Sequence, residues 1–156
     1  MNAADATRLL ADYADALDEW RLEDWAAMFT DAGRSDIVPR ENLDGLGDDD
    51  RPMALMSCPD RRYIDDRVKA IRNATLYGPQ RYRHLFGTIV ASEQSEGRSF
   101  VRANYAVYRT IDSGESDLFS VGRVEAVVVD GPPPQFDSLR IVCDTSLISG
   151  YLVLPL

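Results

Sequence analysis

The 156-residue chain, 45% apolar and 28% charged, has the balance of one soluble globular domain spanning 1–156 and is too short for two. Its net charge of −9 argues against nucleic-acid binding, which rests on concentrated Lys and Arg, and no apolar run reaches the roughly eighteen residues of a membrane span. The acidic N-terminus lacks the basic start and apolar stretch of a signal peptide, so the expected compartment is the cytoplasm, with Cys58 and Cys143 as reduced, buried thiols.

In DATRLLADYADALDEW the residues Ala6, Leu9, Leu10, Tyr13 and Leu17 recur at helical spacing and predict a first helix. After a break near Trp20 and Arg21, the pattern Leu22, Trp25, Met28, Phe29 predicts a shorter second one. The Gly, Pro and Asp content of GRSDIVPRENLDGLGDDDRP makes it loop, with a short strand at 35–38, and MALMSC reads as strand. Pro59 suits the first turn of a third helix over 59–73. Ser57 and Asp60 have capping-box spacing, and Ile64, Val68 and Ile71 form its apolar stripe. On that helix Arg61 with Asp65, Arg62 with Asp66, and Asp65 with Lys69 are spaced to pair along the surface.

From Arg81 onward the period changes to two. RYRHLFGTIVASE, RSFVRANYAVYRTI, SDLFSVGRVEAVVVD and SLRIVCDTSLIS are rich in Val, Ile, Tyr and Thr and are divided by turn material, which predicts a four-stranded antiparallel meander. Helices first and strands later make an α+β domain, its helices packed on one face of a curved antiparallel sheet.

Chemically the sequence is sparse. Its single histidine, His84, and two scattered cysteines cannot supply a zinc site, a Rieske cluster or a two-histidine iron centre, so no metal, cofactor-binding or catalytic residue is assigned in this chain. On an extended strand His84 shares a face with Tyr82 and Phe86. It reads as a packing and hydrogen-bonding residue; the competing reading pairs it with Tyr13, Tyr82 or Asp144 for acid/base chemistry. Charge is uneven: residues 1–60 hold fifteen acids and five bases, whereas 61–83 hold seven bases and two acids. Arg61, Arg62, Arg67, Arg81 and Arg83 in this basic band are candidates for facing a charged partner. The apolar tail, with Tyr151, Leu152, Leu154 and Leu156, is a candidate for burial against a neighbouring chain.

The segments YADALDEWRLEDWAAMF, MALMSCPDRRYIDDRVKAIRNATLYGPQRYRHLFG and VCDTSLISGYLVLPL together resemble the small (beta) subunit of bacterial aromatic-ring-hydroxylating dioxygenases. These subunits share the NTF2-like cone of nuclear transport factor 2, ketosteroid isomerase, scytalone dehydratase and SnoaL-type cyclases. The resemblance implies a structural subunit that trimerises within an alpha3beta3 hexamer. Its partner is a large (alpha) subunit carrying the Rieske 2Fe-2S cluster and the mononuclear iron, served by a separate reductase, with neither nucleic acid nor membrane as a partner. Bulky strand residues Phe86, Phe100, Tyr105, Tyr108 and Phe119 are expected to fill the cone, and His84 to lie near the large-subunit interface. The ending LVLPL is similar to that of enzymes oxidising terephthalate, so the expected reaction is oxidation of an aromatic carboxylate to a cis-dihydrodiol, with terephthalate foremost and anthranilate, benzoate and salicylate as the alternatives. The alternative is a stand-alone SnoaL-like cyclase, isomerase or dehydratase with His84 as its acid/base.

Overall fold

Helix α1 (Ala3–Asp18) starts at a reciprocal cap: the Asn2 side chain accepts the Asp5 N–H at 2.9 Å and the Asp5 carboxylate accepts the Asn2 N–H at 3.2 Å. These bonds satisfy two of the amides that the first turn leaves unpaired. The apolar stripe read from the sequence is the buried face, with Ala6, Leu9, Leu10, Tyr13, Ala16 and Leu17 all in the core. Trp20 adopts φ 56° where the chain reverses, and α2 (Leu22–Ala27) follows. The second helix ends before Met28 and Phe29, because Phe29 already pairs with Phe136 in the sheet.

The computed structural model describes residues 1–44, 52–73, 80–144 and 152–156. Strand β1 (Phe29–Pro39) is far longer than the 35–38 segment expected. Ser35, Asp36, Ile37, Val38 and Pro39 are all buried there, and this uninterrupted run lacks the alternation that marks a half-buried strand. Strand β2 (Met56–Cys58) is shorter than the predicted MALMSC. Helix α3 (Arg61–Asn73) starts two residues later than predicted, and its first turn is capped by Asp60, which accepts the Arg62 N–H at 2.9 Å. Ser57 takes no part in that cap and donates instead to the buried Asp36 at 2.6 Å. Of the predicted surface pairs only Arg61 with Asp65 forms, at 2.9 Å; Arg62 turns back to Asp60 and Lys69 takes Asp66.

Strands β3 (Gln80–Glu93), β4 (Arg98–Ile111), β5 (Ser116–Val129) and β6 (Gln135–Cys143) form the meander. The sheet order is β2-β1-β6-β5-β4-β3, with every pairing antiparallel except β1 with β6. The helices cover one face, here the inner face. Tyr82 and His84 on β3, Val101, Ala103, Tyr105 and Val107 on β4, and Val124, Ala126 and Val128 on β5 point into that core. Gly122 sits where β6 passes closest to β5: a Cβ there would lie 2.0 Å from the Val142 carbonyl oxygen.

The C-terminal residues complete the same core. Val153, Leu154 and Leu156 are buried, the Tyr13 hydroxyl donates to the Leu156 carbonyl at 2.8 Å, and the Arg67 guanidinium donates to the carbonyls of Leu152 and Val153 at 2.7 and 2.8 Å. Of the residues expected to fill the cone, Tyr105 and Phe119 are buried and Phe86 packs against the core. Phe100 and Tyr108 instead occupy outward positions of β4, where alternation places them opposite the helices.

Candidate functional site

The junction of α1 with the sheet edge holds the one histidine. Strand β3 is an edge strand, and α1 lies along it. Asp18, at the last helical position, reaches across. Its Oδ1 lies 2.6 Å from His84 Nδ1, and its Oδ2 accepts the His84 backbone N–H at 3.1 Å. One carboxylate therefore satisfies an imidazole nitrogen and an edge amide that no neighbouring strand could reach. The contact fixes the proton on Nδ1, because a carboxylate only accepts. Arg83 closes the outside of the cluster, 3.4 Å from Glu19 and 3.9 Å from Asp18.

The other ring nitrogen decides what His84 can do. In a Asp–His arrangement Nε2 is the atom that exchanges protons with a substrate. Here the side chain is 0% exposed, and Nε2 is buried without a hydrogen-bond partner among the described residues. The ring packs edge-on against Tyr13, centroids 6.5 Å apart. A groove of about 340 Å³ runs beside it between α1 and β3, lined by Thr7, Ala11, Ala14, Phe86 and Ile89 among others. It is open to solvent, yet Nε2 contributes no exposed surface to it, so the site has an oriented imidazole and no accessible basic atom.

None of the three partners considered for His84 from sequence bonds to it. Tyr13 is spent on Leu156, Tyr82 donates to Gln80, and Asp144 pairs with Arg40. Burial pushes the Tyr13 hydroxyl far above its ordinary value and that of Tyr82 up to about 12, so neither supplies a proton near neutrality. Asp18 was the residue that sequence reasoning missed. A signal existed: an acid in the last turn of α1, without a basic residue there, sits at the unfavourable end of the helix dipole and calls for a compensating partner.

The basic band divides. Arg61 and Arg62 form local pairs on α3, Arg67 holds the tail, and only Arg81 and Arg83 lie on the outward side of β3. Leu152 is half-buried, while Leu154 and Leu156 are buried in this chain's own core, so their burial requires no neighbour; Tyr151 lies outside the described residues. Nor do the thiols approach His84 as ligands. Cys58 and Cys143 are free and buried, burial raises both, and Cys143 accepts from the Tyr105 hydroxyl at 3.3 Å. Among the described residues no three His, Cys, Asp or Glu side chains converge as a metal site would require. These residues do not fit a Rieske cluster or a mononuclear iron.

Comparison with known proteins sets this arrangement in a family. The family model for the "Ring hydroxylating beta subunit" matches residues 13–150, nearly the whole chain. The chain belongs to the ring-hydroxylating beta subunits. It is similar to the small subunit of anthranilate 1,2-dioxygenase from Burkholderia cepacia, 34% identical over 146 residues that cover 92% of this chain and 88% of that one. It is also similar to the terminal oxygenase component subunit beta 2 of terephthalate 1,2-dioxygenase from Comamonas sp., at 25% identity over 149 residues covering 94% and 93%. Among solved structures, the beta subunit of a putative aromatic-ring-hydroxylating dioxygenase from Novosphingobium aromaticivorans superposes with a TM-score of 0.82 at 28% identity, covering 94% of this chain and 92% of that one. This beta subunit thus has the cone fold of its family and is part of a ring-hydroxylating oxidoreductase.

Proposed function

We propose that this beta subunit is a structural, non-metal-binding component of an alpha3beta3 oxygenase in the cytoplasm. The large subunit holds the Rieske cluster and the mononuclear iron, and a separate reductase delivers electrons. The substrate is an aromatic carboxylate: dioxygen, two electrons and two protons add across two ring carbons to give a cis-dihydrodiol. Within that class the 34% identity to an anthranilate-type small subunit outweighs the 25% to a terephthalate-type one, so anthranilate-like acids are favoured over the terephthalate suggested by the tail.

The observation that carries a structural role is the sealed Nε2 of the only histidine. A stand-alone cyclase, isomerase or dehydratase would need that atom open to substrate. The test is reconstitution. The chain purified alone should contain no stoichiometric iron or zinc and hydroxylate nothing, and co-expression with its large subunit and reductase should consume dioxygen with anthranilate-like acids and yield products carrying two new ring hydroxyls. About one tightly bound iron per isolated chain would overturn the proposal.

A further inference from the structure

The sheet has two edges, and they are not equally open. Strand β2 is three residues long, too short to template a foreign strand, whereas β3 is fourteen, an edge of about 45 Å. Within β3 the stretch LFGTIVA, Leu85 to Ala91, carries no charge and no proline and holds a single glycine, the composition through which strands of separate chains pair. Val90 is 46% exposed, and Gly87, Thr88 and Ser92 are exposed as well, beside the open groove between α1 and β3. Two features interrupt this edge. The Asp18 carboxylate accepts the His84 N–H at 3.1 Å, so the amide that leads into the apolar stretch is taken, and a negative charge stands where an incoming strand would bring its carbonyl. The register with β4 then slips between Gly87 and Val90, where Thr88 and Ile89 together stand against Ala103 alone. Thr88 is the extra residue, at φ 51°, a left-handed conformation that a β-branched side chain adopts only under strain. Strain kept at an exposed position calls for a purpose, and a kinked edge is a poor template.

We infer that β3 is a latent strand-pairing surface for the β3 of a second copy of this chain, held closed by the Asp18 carboxylate and the Thr88 bulge. The sequence of the strand selects that occupant. Antiparallel pairing centred near Gly87 lays one LFGTIVA stretch against the other and sets Arg81 of each copy against Glu93 of its partner, so both the apolar run and the charges are self-complementary. Such pairing is not a step towards the oxygenase: it is a competing route that would draw the chain into edge-to-edge aggregates, and the two interruptions keep that route shut.

The experiment follows association of the purified chain beyond the parent's own oligomer, by sedimentation and thioflavin fluorescence, without denaturant and well below the melting temperature. Asp18→Ala frees the edge amide and should associate at least about tenfold faster than the parent. His84→Ala loses the ring but keeps the carboxylate on the backbone N–H, so it should stay within a few-fold of the parent and separates an opened edge from a merely weakened fold. Deleting Thr88 leaves the clamp in place, sets Ile89 opposite Ala103 and straightens the strand, and it too should associate faster. Val90→Glu puts a charge into the apolar run, opposite Arg102, and should return either variant to parental behaviour. An Asp18→Ala chain, folded by circular dichroism, that associates no faster than His84→Ala would overturn the inference, as would association that Val90→Glu leaves untouched. If Asp18→Ala does not fold, the Thr88 deletion carries the test, and parental behaviour there would overturn the inference equally.

Discussion

Replacing Asp18 by alanine should destabilise the chain more than replacing its partner His84. The carboxylate accepts both the His84 backbone N–H and the ring Nδ1–H, at 3.1 and 2.6 Å. A buried donor left without an acceptor costs about 1–3 kcal/mol, so two stranded together put Asp18→Ala at roughly 2–5 kcal/mol. His84→Ala removes one donor and leaves Asp18 with the backbone N–H and Arg83 nearby, which places its loss at about 1–3 kcal/mol. His84→Gln, able to keep one bond, should be milder. In the double variant the ring donor no longer exists to be stranded, so its loss should fall short of the sum of the single losses by about 0.5–3 kcal/mol. Urea unfolding followed by circular dichroism gives the three values, and thermal melting should shift by about 2–4 °C for each kcal/mol. Activity per assembled complex should stay within a few-fold. An Asp18→Ala chain within about 0.5 kcal/mol of the parent would refute the clamp. A hundredfold loss of turnover in a stable, assembled His84→Ala complex would be on the scale of removing a general base and would refute the structural reading.

Arg67→Ala should free the carbonyls of Leu152 and Val153, costing about 1.5–3 kcal/mol and exposing the tail to carboxypeptidase, with release of Leu156 as the readout. Gly122→Ala should be severely destabilising, at least about 1–3 kcal/mol, because its Cβ would collide with a backbone carbonyl that cannot rotate away; expression level and melting temperature report it. Tyr82, held at about 12 in the folded chain against about 10 unfolded, contributes stability that is complete below pH 10 and declines as the pH rises towards 12. Tyrosinate absorbance of the buried tyrosines should therefore appear together with loss of circular dichroism, and ionisation before unfolding would contradict it. Glu23, drawn down to about 2 by Arg72, favours the folded chain above its ordinary range, and the benefit fades as pH falls from about 4.5 to 2. Glu23→Gln should flatten the stability profile in that window.

Elements that meet solvent on one side were legible because their residues carry the period of the element. The stripes of α1 and α3, and the alternation that puts Tyr82 and His84 inward and Arg81 and Arg83 outward, needed nothing beyond the order of residues. Strand β1 was legible only at 35–38, because its first half, with Asp31, Gly33 and Arg34, reads as loop and the buried run that follows does not alternate. The paired burial of Phe119 and Ser120 likewise broke the pattern that would have turned Leu118 and Val121 outward together. At the histidine, the aromatic surroundings were readable and the partner was not, since Asp18 lies 66 residues away and only the packing of α1 along β3 brings it near. The tail read as apolar and was expected to meet a neighbouring chain; Val153, Leu154 and Leu156 are buried within this one, and their anchors, Tyr13 and Arg67, are on two different helices.

The parallel pairing of β1 with β6 constrains how the chain acquires its structure. Phe29 waits for Phe136, so the middle of the sheet closes only after about a hundred further residues have left the ribosome, a contact of high order that slows folding. Until then the unpaired backbone edge of β1 and the apolar inner surfaces of α1 and α2 are uncovered together, and they are the segments a chaperone would hold during synthesis.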